Sequence, residues 1–209
     1  MFVVLFEVQP HDELREEYLD VAKPLRPELE AIEGFIGNTR FASARTPGRL
    51  LSLSTWRDEK SLVRWRTQAT HHDQGQQRGR FEIFADYRLR VAEVSEDTHP
   101  PVGVVLAQSR YDETEVGTAR AATVFEPLDT DSRAAMPDLD GVGGLADVES
   151  YDGILDPHPP LLLASWIDLG AARGGTPPLS SVRIRHLRVI REYGLHDRRE
   201  APQYFPDVS

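Results

Sequence analysis

Two stretches of this 209-residue sequence align with each other without a gap: Gly34–Trp56, GFIGNTRFASARTPGRLLSLSTW, and Gly144–Trp166, GLADVESYDGILDPHPPLLLASW. The identical residues fall on the ends, the turn and one strand of a predicted hairpin: Gly34/Gly144, Pro47/Pro157, Leu51/Leu161, Leu53/Leu163 and Trp56/Trp166. A further match relates Leu89-Arg90-Val91 to Leu187-Arg188-Val189. Matches spaced in this way indicate that one structural unit occurs twice in the chain.

The pattern around the first copy predicts the order β-α-β-β-α-β. Aromatic and β-branched residues from Phe2 to Val8 predict a strand, and apolar residues at steps of three and four predict a helix from Asp12. Pro24 and Pro27 should break that helix near residues 22–26, so that a second short helix starts at Pro27. The remaining elements are strands over residues 34–45 and 49–56, a helix from 58 to about 77, and a strand from 81 to 94.

The second copy is shorter and contains less helix. Residues 102–110 correspond to the first strand, and residues 112–140 stand in the place of the first helix. The second helix is 12 residues shorter, because Val91 follows Trp56 by 35 positions whereas Val189 follows Trp166 by only 23. Glycines and prolines between positions 170 and 178 leave room there for little more than one helical turn.

These patterns predict an α+β fold of two tandem ferredoxin-like units, residues 1–94 and 102–190, with a linker at 95–101 and a C-terminal tail at 191–209. A lone unit leaves one face of its sheet uncovered. The two sheets should therefore pack against each other as an intramolecular α/β barrel, with the second unit degenerate. A monomer would suffice for this barrel, and a homodimer is possible but not needed. The functional cavity should lie in the first unit, where a full second helix remains.

The composition excludes several classes of function. The chain carries 24 basic and 34 acidic side chains, a formal charge of −10, and neither half is basic, so nucleic acid is not an expected partner. Cysteine is absent, which excludes disulfides, thiolate metal sites and cysteine nucleophiles. No apolar run reaches the ~20 residues of a membrane span, and the N-terminus lacks signal-peptide features. We therefore expect a cytoplasmic protein without a membrane partner.

Three segments carry a resemblance to a known family. The run Trp65 to Arg80 reads WRTQATHHDQGQQRGR, Phe84 to Ala92 reads FADYRLRVA, and Arg191 to Pro202 reads REYGLHDRREAP. Together they resemble the antibiotic biosynthesis monooxygenase family. Its members commonly have a tryptophan, a histidine six residues later, a Gln and a Gly-Arg pair, and a tyrosine in the last strand. The resemblance implies the same barrel of ferredoxin-like units.

The resemblance also implies a function, and two other hypotheses stand beside it. It implies a cofactor-independent monooxygenase that oxidises a phenolic or polyketide-like aromatic small molecule with O2. A non-catalytic barrel protein that binds a small molecule is the second hypothesis, which the shortened second unit favours. The third is a relative that binds or degrades haem. The haem-degrading branch has an asparagine on its first strand, where this sequence has only Glu7 as a polar residue.

Trp65, His71 and His72 are the candidate catalytic residues. Trp65 lies on the inward face of the second predicted helix, where it would either fill the core or line a cavity in which an aromatic substrate stacks. Helix geometry favours His72 on the same face, whereas the family pattern favours His71. Either histidine could act as a general base, although two solvent-facing histidines at a helix end fit the sequence as well.

Asn38, Arg40, Tyr87 and Ser61 are the candidate substrate-binding residues. Asn38 and Arg40 are two apart on one strand and so share a face, from which Arg40 could stabilise an anionic intermediate or form a cross-strand salt bridge. Tyr87 lies on the last strand of the first unit. Ser61 stands one turn before Trp65, where quinone-forming relatives have an asparagine. No His, Asp and Glu cluster has metal-ligand spacing, so the sequence predicts no metal site. The family resemblance implies a protein without a cofactor, with haem as the alternative.

Overall fold

Antiparallel strand pairing organises the chain. The computed structural model describes residues 1–68, 79–104, 106, 112–129, 136–154 and 158–202. The strands in this part of the chain are β1 (Phe2–Pro10), β2 (Phe35–Ser43), β3 (Leu50–Trp56), β4 (Phe84–Asp97), β5 (Ala121–Pro127), β6 (Leu145–Gly153), β7 (Leu161–Trp166) and β8 (Val182–Gly194). The α-helices are α1 (Arg15–Glu30), α2 (Glu59–Thr67) and α3 (Leu169–Gly175), and none of them has the length and apolar character of a membrane span.

The repeat in the sequence is visible in the strand register. The β2–β3 hairpin has a bulge between Phe35 and Gly37, and the β6–β7 hairpin has one between Leu145 and Asp147, 110 positions later at both residues. Each hairpin is preceded by a glycine with positive φ, Gly34 at 91° and Gly144 at 81°. The carbonyl of each glycine accepts a hydrogen bond from the backbone just after the second strand. The two hairpins are therefore copies of one structural unit.

Two seams join the copies into a closed barrel with the strand order β1-β3-β2-β6-β7-β5-β8-β4. β4 pairs with β8 over most of its length, and β2 pairs with β6 at residues 41–43. The interior is filled by apolar side chains from both copies: Met1, Val3, Leu5, Phe41, Leu51, Leu53, Ala92, Val94, Ala122, Val124, Tyr151, Leu161, Leu163, Leu187 and Val189. The prediction of an α+β barrel formed within one chain from two ferredoxin-like units is confirmed.

Pro24 and Pro27 do not break the first helix, so that prediction was wrong. α1 runs through both prolines without interruption. Both prolines are exposed and lie on one side of the helix, where water can hydrate the carbonyl groups that they leave without donors. The other side buries Tyr18, Leu25 and Leu29 against the barrel, and this burial outweighs the missing hydrogen bonds.

The second helix is shorter than predicted. α2 ends at Thr67 rather than near Gln77, and Gln68 after it is extended, with its side-chain amide donating to Glu28 of α1 at 2.8 Å. Residues 69–78 lie outside the described part of the chain. The residues that follow, Gly79–Ile83, form a π-helical turn that leads into β4. β4 starts at residue 84 instead of 81 and extends to residue 97.

The second copy departs further from the sequence prediction. Val102 and Gly103, at the start of the strand expected over residues 102–110, lie in a turn, and residues 105 and 107–110 lie outside the described part of the chain. The strand that pairs with β7 and β8 is β5. In the described parts of residues 112–140 there is no helix, and residues 95–97 of the expected linker belong to β4. β5 forms because its sequence, AATVFEP, is almost continuously apolar and is buried on both faces between two neighbouring strands.

A charged network lies inside the barrel beside the apolar core. Arg90 is fully buried and donates to Glu7 at 2.8 Å and to Ser165 at 2.9 Å, while the Tyr151 hydroxyl donates to Glu7 at 3.0 Å. Burial acts to raise the pKa of Glu7, but the charges of Arg90 and Arg88 and the hydrogen bonds outweigh it, so the pKa lies below its ordinary value. The ionised Glu7 therefore contributes stability that is present above the unfolded-state pKa and is lost as the pH falls through the folded-state pKa.

Glu7→Gln should destabilise the barrel, because Arg90 would stay charged without a carboxylate. Removing one partner of a buried ion pair costs about 3–5 kcal/mol. Tyr151→Phe is the matched control, since it removes one hydrogen bond to the same carboxylate and should cost about 1.5–3 kcal/mol. Denaturant unfolding at pH 7 measures both costs, and below about pH 5 the difference between Glu7→Gln and the native chain should shrink. A cost for Glu7→Gln no larger than that of Tyr151→Phe would contradict this account.

Candidate ligand-binding site

A cavity of about 1240 Å³ lies on the outer face of the first copy's sheet, beneath α1 and α2. Strands β1 to β4 and β8 form its floor, and side chains of the two helices cover it. The π-helical turn and residues 198–202 complete its wall. A cavity of this size can hold a small organic molecule. Its position agrees with the sequence prediction of a cavity between the helices and the sheet of the first unit.

The strand register arranges the floor in two rows. One row is Asn38, Ser54, Val4, Val91 and Arg191, and the other is Arg40, Ser52, Phe6, Leu89 and Tyr193. Adjacent strands are about 4.8 Å apart, so the floor extends about 19 Å along the sheet from β2 to β8. It is polar on β2 and β3, apolar on β1 and β4, and polar again on β8.

The equivalent face of the second copy is mainly apolar. The residues that replace the polar floor positions, 110 later in the chain, are Val148 for Asn38, Ser150 for Arg40, Leu162 for Ser52 and Ala164 for Ser54. Val148, Leu162 and Ala164 pack in a cluster with Leu139 and Val142. A sheet face of this fold can therefore be covered by apolar packing alone. The polar floor of the first copy is not required by the fold, and this contrast makes its residues candidates for ligand binding.

Arg40 stands at the β2 edge of the floor and contacts Tyr18 of α1. Burial raises the pKa of the Tyr18 phenol, although the charge of Arg40 and a hydrogen bond with it act in the other direction. The phenol is thus a protonated donor at neutral pH. Asn38 lies one row away, and its amide donates to Ser52 Oγ at 3.0 Å. In the described part of the chain no carboxylate forms the cross-strand salt bridge considered for Arg40, and its buried Nε has no hydrogen-bond partner there.

Trp65 takes part in both of the arrangements considered from the sequence. Its side chain is half-buried and packs against the apolar cluster of Phe2, Leu29, Trp56, Leu62 and Ile190. It also lines the cavity. A second aromatic group, formed by Phe6, Tyr18, Phe84 and Tyr87 with ring centroids 5.5–6.0 Å apart, lines the cavity as well. Aromatic faces therefore surround the apolar centre of the floor.

The cavity is cationic although the chain as a whole is acidic. The described residues that line it include seven arginines and two glutamates: Arg26, Arg40, Arg66, Arg80, Arg191, Arg198 and Arg199, with Glu30 and Glu59. Glu30 pairs with Arg26 at 2.7 Å, and Arg199 pairs with Asp197 at 2.7 Å. The excess of guanidinium groups around an apolar centre favours a ligand that is both apolar and anionic.

The C-terminal tail is fastened against the cavity. Arg198 donates a hydrogen bond to the Tyr87 hydroxyl. The Glu200 carboxylate accepts from Thr114 Oγ1 at 2.8 Å, from the Glu115 backbone N–H at 2.8 Å and from the Glu192 backbone N–H at 2.6 Å. Residues 198–202 thereby form part of the cavity wall. Together with β8, they are contributed by the second half of the chain, so both halves build the site.

Ser61 has a structural position and does not line the cavity. It is buried, and both its backbone N–H and its hydroxyl donate to Asp58 at 2.8 Å at the start of α2. Burial acts to raise the pKa of Asp58, but these hydrogen bonds and the interaction with Arg57 lower it to about 2. A Cβ at position 34 would lie 2.1 Å from the Ser61 hydroxyl, so Ser61 packs directly against Gly34 and leaves no room for a side chain there. We therefore remove Ser61 from the candidate binding residues.

The other predicted residues divide between the cavity and the undescribed part of the chain. Trp65, Asn38, Arg40 and Tyr87 all line the cavity. His71 and His72 lie outside the described residues, so their roles stay predictions. Sequence reasoning missed four groups of the lining: Tyr18, Ser52 and Ser54, Arg191 and Tyr193, and Arg198. Only Ser52 and Ser54 carried a usable signal, because they alternate with buried leucines on β3 and so face the other side of the sheet.

The fold is an α+β barrel with a cavity on the outer face of its first copy, and comparisons with known proteins give its family. The family model for antibiotic biosynthesis monooxygenases matches residues 1–78. The chain is also 41% identical over 221 aligned positions to jasmonate monooxygenase ABM of Pyricularia oryzae, with all of both chains covered. The protein belongs to the antibiotic biosynthesis monooxygenase family, and the coarse expectation of a monooxygenase-like function agrees with this membership.

Solved structures similar to this chain include a protein described as anthrone oxidase-like. It is 14% identical, with 97% of this chain and 96% of that chain covered and a TM-score of 0.39. A conserved protein from Methanosarcina mazei Go1 is 21% identical, with 43% of this chain and 88% of that chain covered and a TM-score of 0.40.

Glu200→Ala should release the tail from the cavity wall, because three hydrogen bonds to one carboxylate are lost. Hydrogen bonds to charged groups contribute about 1.5–3 kcal/mol each, so the tail should open at least about tenfold more often. The measurement is the rate of tryptic cleavage after Arg198 and Arg199 in the folded protein. Glu113→Gln is the control, since it removes only a surface ion pair with Arg120 at 3.8 Å. Equal cleavage rates for Glu200→Ala and the native chain would show that the tail is held in another way.

Proposed function

We propose that this protein is a monooxygenase that oxidises a small, mainly apolar organic acid with O2 in the cavity of its first copy. The observation that carries the proposal is the cationic cavity with an apolar centre and a polar edge on each side. Such a lining suits a molecule with a hydrocarbon skeleton and an anionic group. The class of reaction is supported by membership of the monooxygenase family and by the full-length relative.

Jasmonate is the model for the proposed substrate class. The relative from Pyricularia oryzae is a jasmonate monooxygenase by name, and the two chains match from end to end. Jasmonate joins a carboxylate to an apolar cyclic ketone, which agrees with an apolar floor beside arginine side chains. A phenolic or anthrone-like substrate is the alternative from the sequence. The excess of arginines favours the carboxylic acid, since a carboxylate is already anionic at neutral pH whereas a phenol is not.

The proposed chemistry requires no prosthetic group. A proton is removed from a substrate carbon next to a carbonyl group, which leaves an electron-rich anion. This anion transfers its electrons to O2, a C–O bond forms, and protonation gives a hydroperoxide. Where the same carbon carries a second hydrogen, loss of water converts the hydroperoxide into a carbonyl group. One oxygen atom of O2 then stays in the product and the other leaves as water, while the substrate carbon is oxidised.

The protein's part in this chemistry is orientation, exclusion of water and charge stabilisation. The aromatic group and Trp65 would hold the skeleton, and the cavity arginines would stabilise the anion and the developing peroxide. His71 or His72 is the proposed base, since imidazole is the side chain best suited to proton transfer at neutral pH.

The proposal predicts incorporation of one oxygen atom from ¹⁸O2 into an acid of the jasmonate type by the purified protein. Oxygen uptake and product mass are measured for jasmonate and for an anthrone, with reactions in H2¹⁸O as the control for the source of oxygen. The double variant His71→Ala/His72→Ala should lower kcat at least about 100-fold, the usual contribution of a general base. Absence of oxygen uptake with every acid and phenol, although they bind, would instead favour a binding protein. If added haemin gave a Soret band and activated turnover, the haem hypothesis would be favoured.

A further inference from the structure

Arg40 differs from the arginines inside the barrel in having no carboxylate partner in the described part of the chain. Arg90 donates to Glu7 at 2.8 Å, Arg185 to Glu126 at 2.7 Å and Arg88 to Glu192 at 2.8 Å. A guanidinium removed from water costs free energy unless an anion or hydrogen-bond acceptors replace the water. Arg40 is largely shielded by the sheet and α1, and its Nε is buried without an acceptor among the described residues. The Nε atoms of Arg90 and Arg185 are buried in the same way, but each of those guanidinium groups holds a carboxylate through another nitrogen. The carboxylate that Arg40 lacks is what a bound anion would supply.

The groups around Arg40 are suited to a carboxylate. A guanidinium can donate two parallel hydrogen bonds to the two oxygens of a carboxylate. The neighbouring Tyr18 hydroxyl is a third donor, and the Asn38 amide lies one row away on the same face of β2. Next to them along the floor come Ser52 and then Phe6 and Val4. A ligand anchored at Arg40 would therefore extend its skeleton over the apolar centre.

The second copy supplies an independent comparison. Its residue equivalent to Arg40 is Ser150, and the equivalent of Asn38 is Val148 within an apolar cluster. A sheet of the same register thus folds without an arginine at this position. The arginine in the first copy is therefore not needed to form the strand or to cover it. It lies at the β2 edge of the cavity floor.

We propose that Arg40, assisted by Tyr18, is the carboxylate anchor for an apolar monocarboxylic acid whose skeleton lies over Val4 and Phe6. This inference rests on the proposed function for the substrate class, and on a guanidinium without a carboxylate partner among the described residues for the position of the anchor. It assigns the orientation of the ligand: the acid group lies at the β2 edge, and the part of the skeleton farthest from it points toward β4 and β8.

The test compares binding of jasmonate with binding of methyl jasmonate, which has the same skeleton without the charge. Isothermal titration calorimetry under anaerobic conditions measures both affinities without turnover. The native protein should bind the acid at least about tenfold more tightly than the ester, a difference of about 1.4 kcal/mol. Arg40→Gln should abolish this preference and leave ester binding within about threefold. Arg40→Lys keeps the charge without the paired donors and should restore part of the preference.

Arg191→Gln is the matched control, because it removes a second cavity arginine at the opposite edge of the floor. It should retain the preference for the acid. Tyr18→Phe should weaken binding of the acid but not of the ester, and this variant leaves the charge of Arg40 in place. Near-ultraviolet circular dichroism establishes that each variant is folded; if Arg40→Gln is not, Arg40→Lys and Tyr18→Phe decide the question.

Several outcomes would overturn the anchor. Equal affinities of the native protein for acid and ester, absence of binding of both, or loss of the preference in Arg191→Gln rather than in Arg40→Gln would each do so. The proposed function fails separately. Preference for the acid through Arg40 without incorporation of oxygen would support the anchor and contradict the monooxygenase reaction. Oxygenation of acid and ester alike, unaffected by Arg40→Gln, would contradict the anchor alone.

Discussion

Closure of the barrel within one chain is the constraint on which the rest of the structure depends. The β4–β8 and β2–β6 seams complete a ring of paired strands, and side chains from both copies fill its interior. Because the interior is filled, a small organic ligand can bind only at the outer faces of the sheet. Each outer face must be covered, and the two copies solve this differently. The second packs apolar residues on its sheet, whereas the first holds two helices over a cavity.

This division gives the degenerate copy a role in the site. β8 lies beside β4 and brings Arg191 and Tyr193 onto the floor of the first copy's cavity, and the tail that follows adds Arg198 to the wall. The first copy alone would lack these groups and the strand that extends its floor. Loss of helix from the second copy therefore leaves the cavity intact, because the segments that reach it are retained.

The sequence predicted what local patterns determine. The matching hairpins were recognisable because turn glycines, alternation and end tryptophans all coincide, and the period of two placed Asn38 and Arg40 on one face correctly. Tyr18, Arg191 and Tyr193 were missed because they reach the cavity through the packing of α1 and the β4–β8 seam, for which no local pattern exists. The continuity of α1 through Pro24 and Pro27 and the position of β5 likewise depend on tertiary burial, which outweighs local preference.

A crystal structure of the protein with jasmonate bound tests the central claim most directly, namely that the outer cavity of the first copy holds an apolar acid. The account predicts electron density in that cavity, with both carboxylate oxygens within hydrogen-bonding distance of the Arg40 guanidinium and the ring over Val4 and Phe6. Density in the smaller cavity of about 200 Å³ beside His158 and Arg183 would contradict it. So would a ligand in the first cavity with its carboxylate on Arg191 and no contact with Arg40.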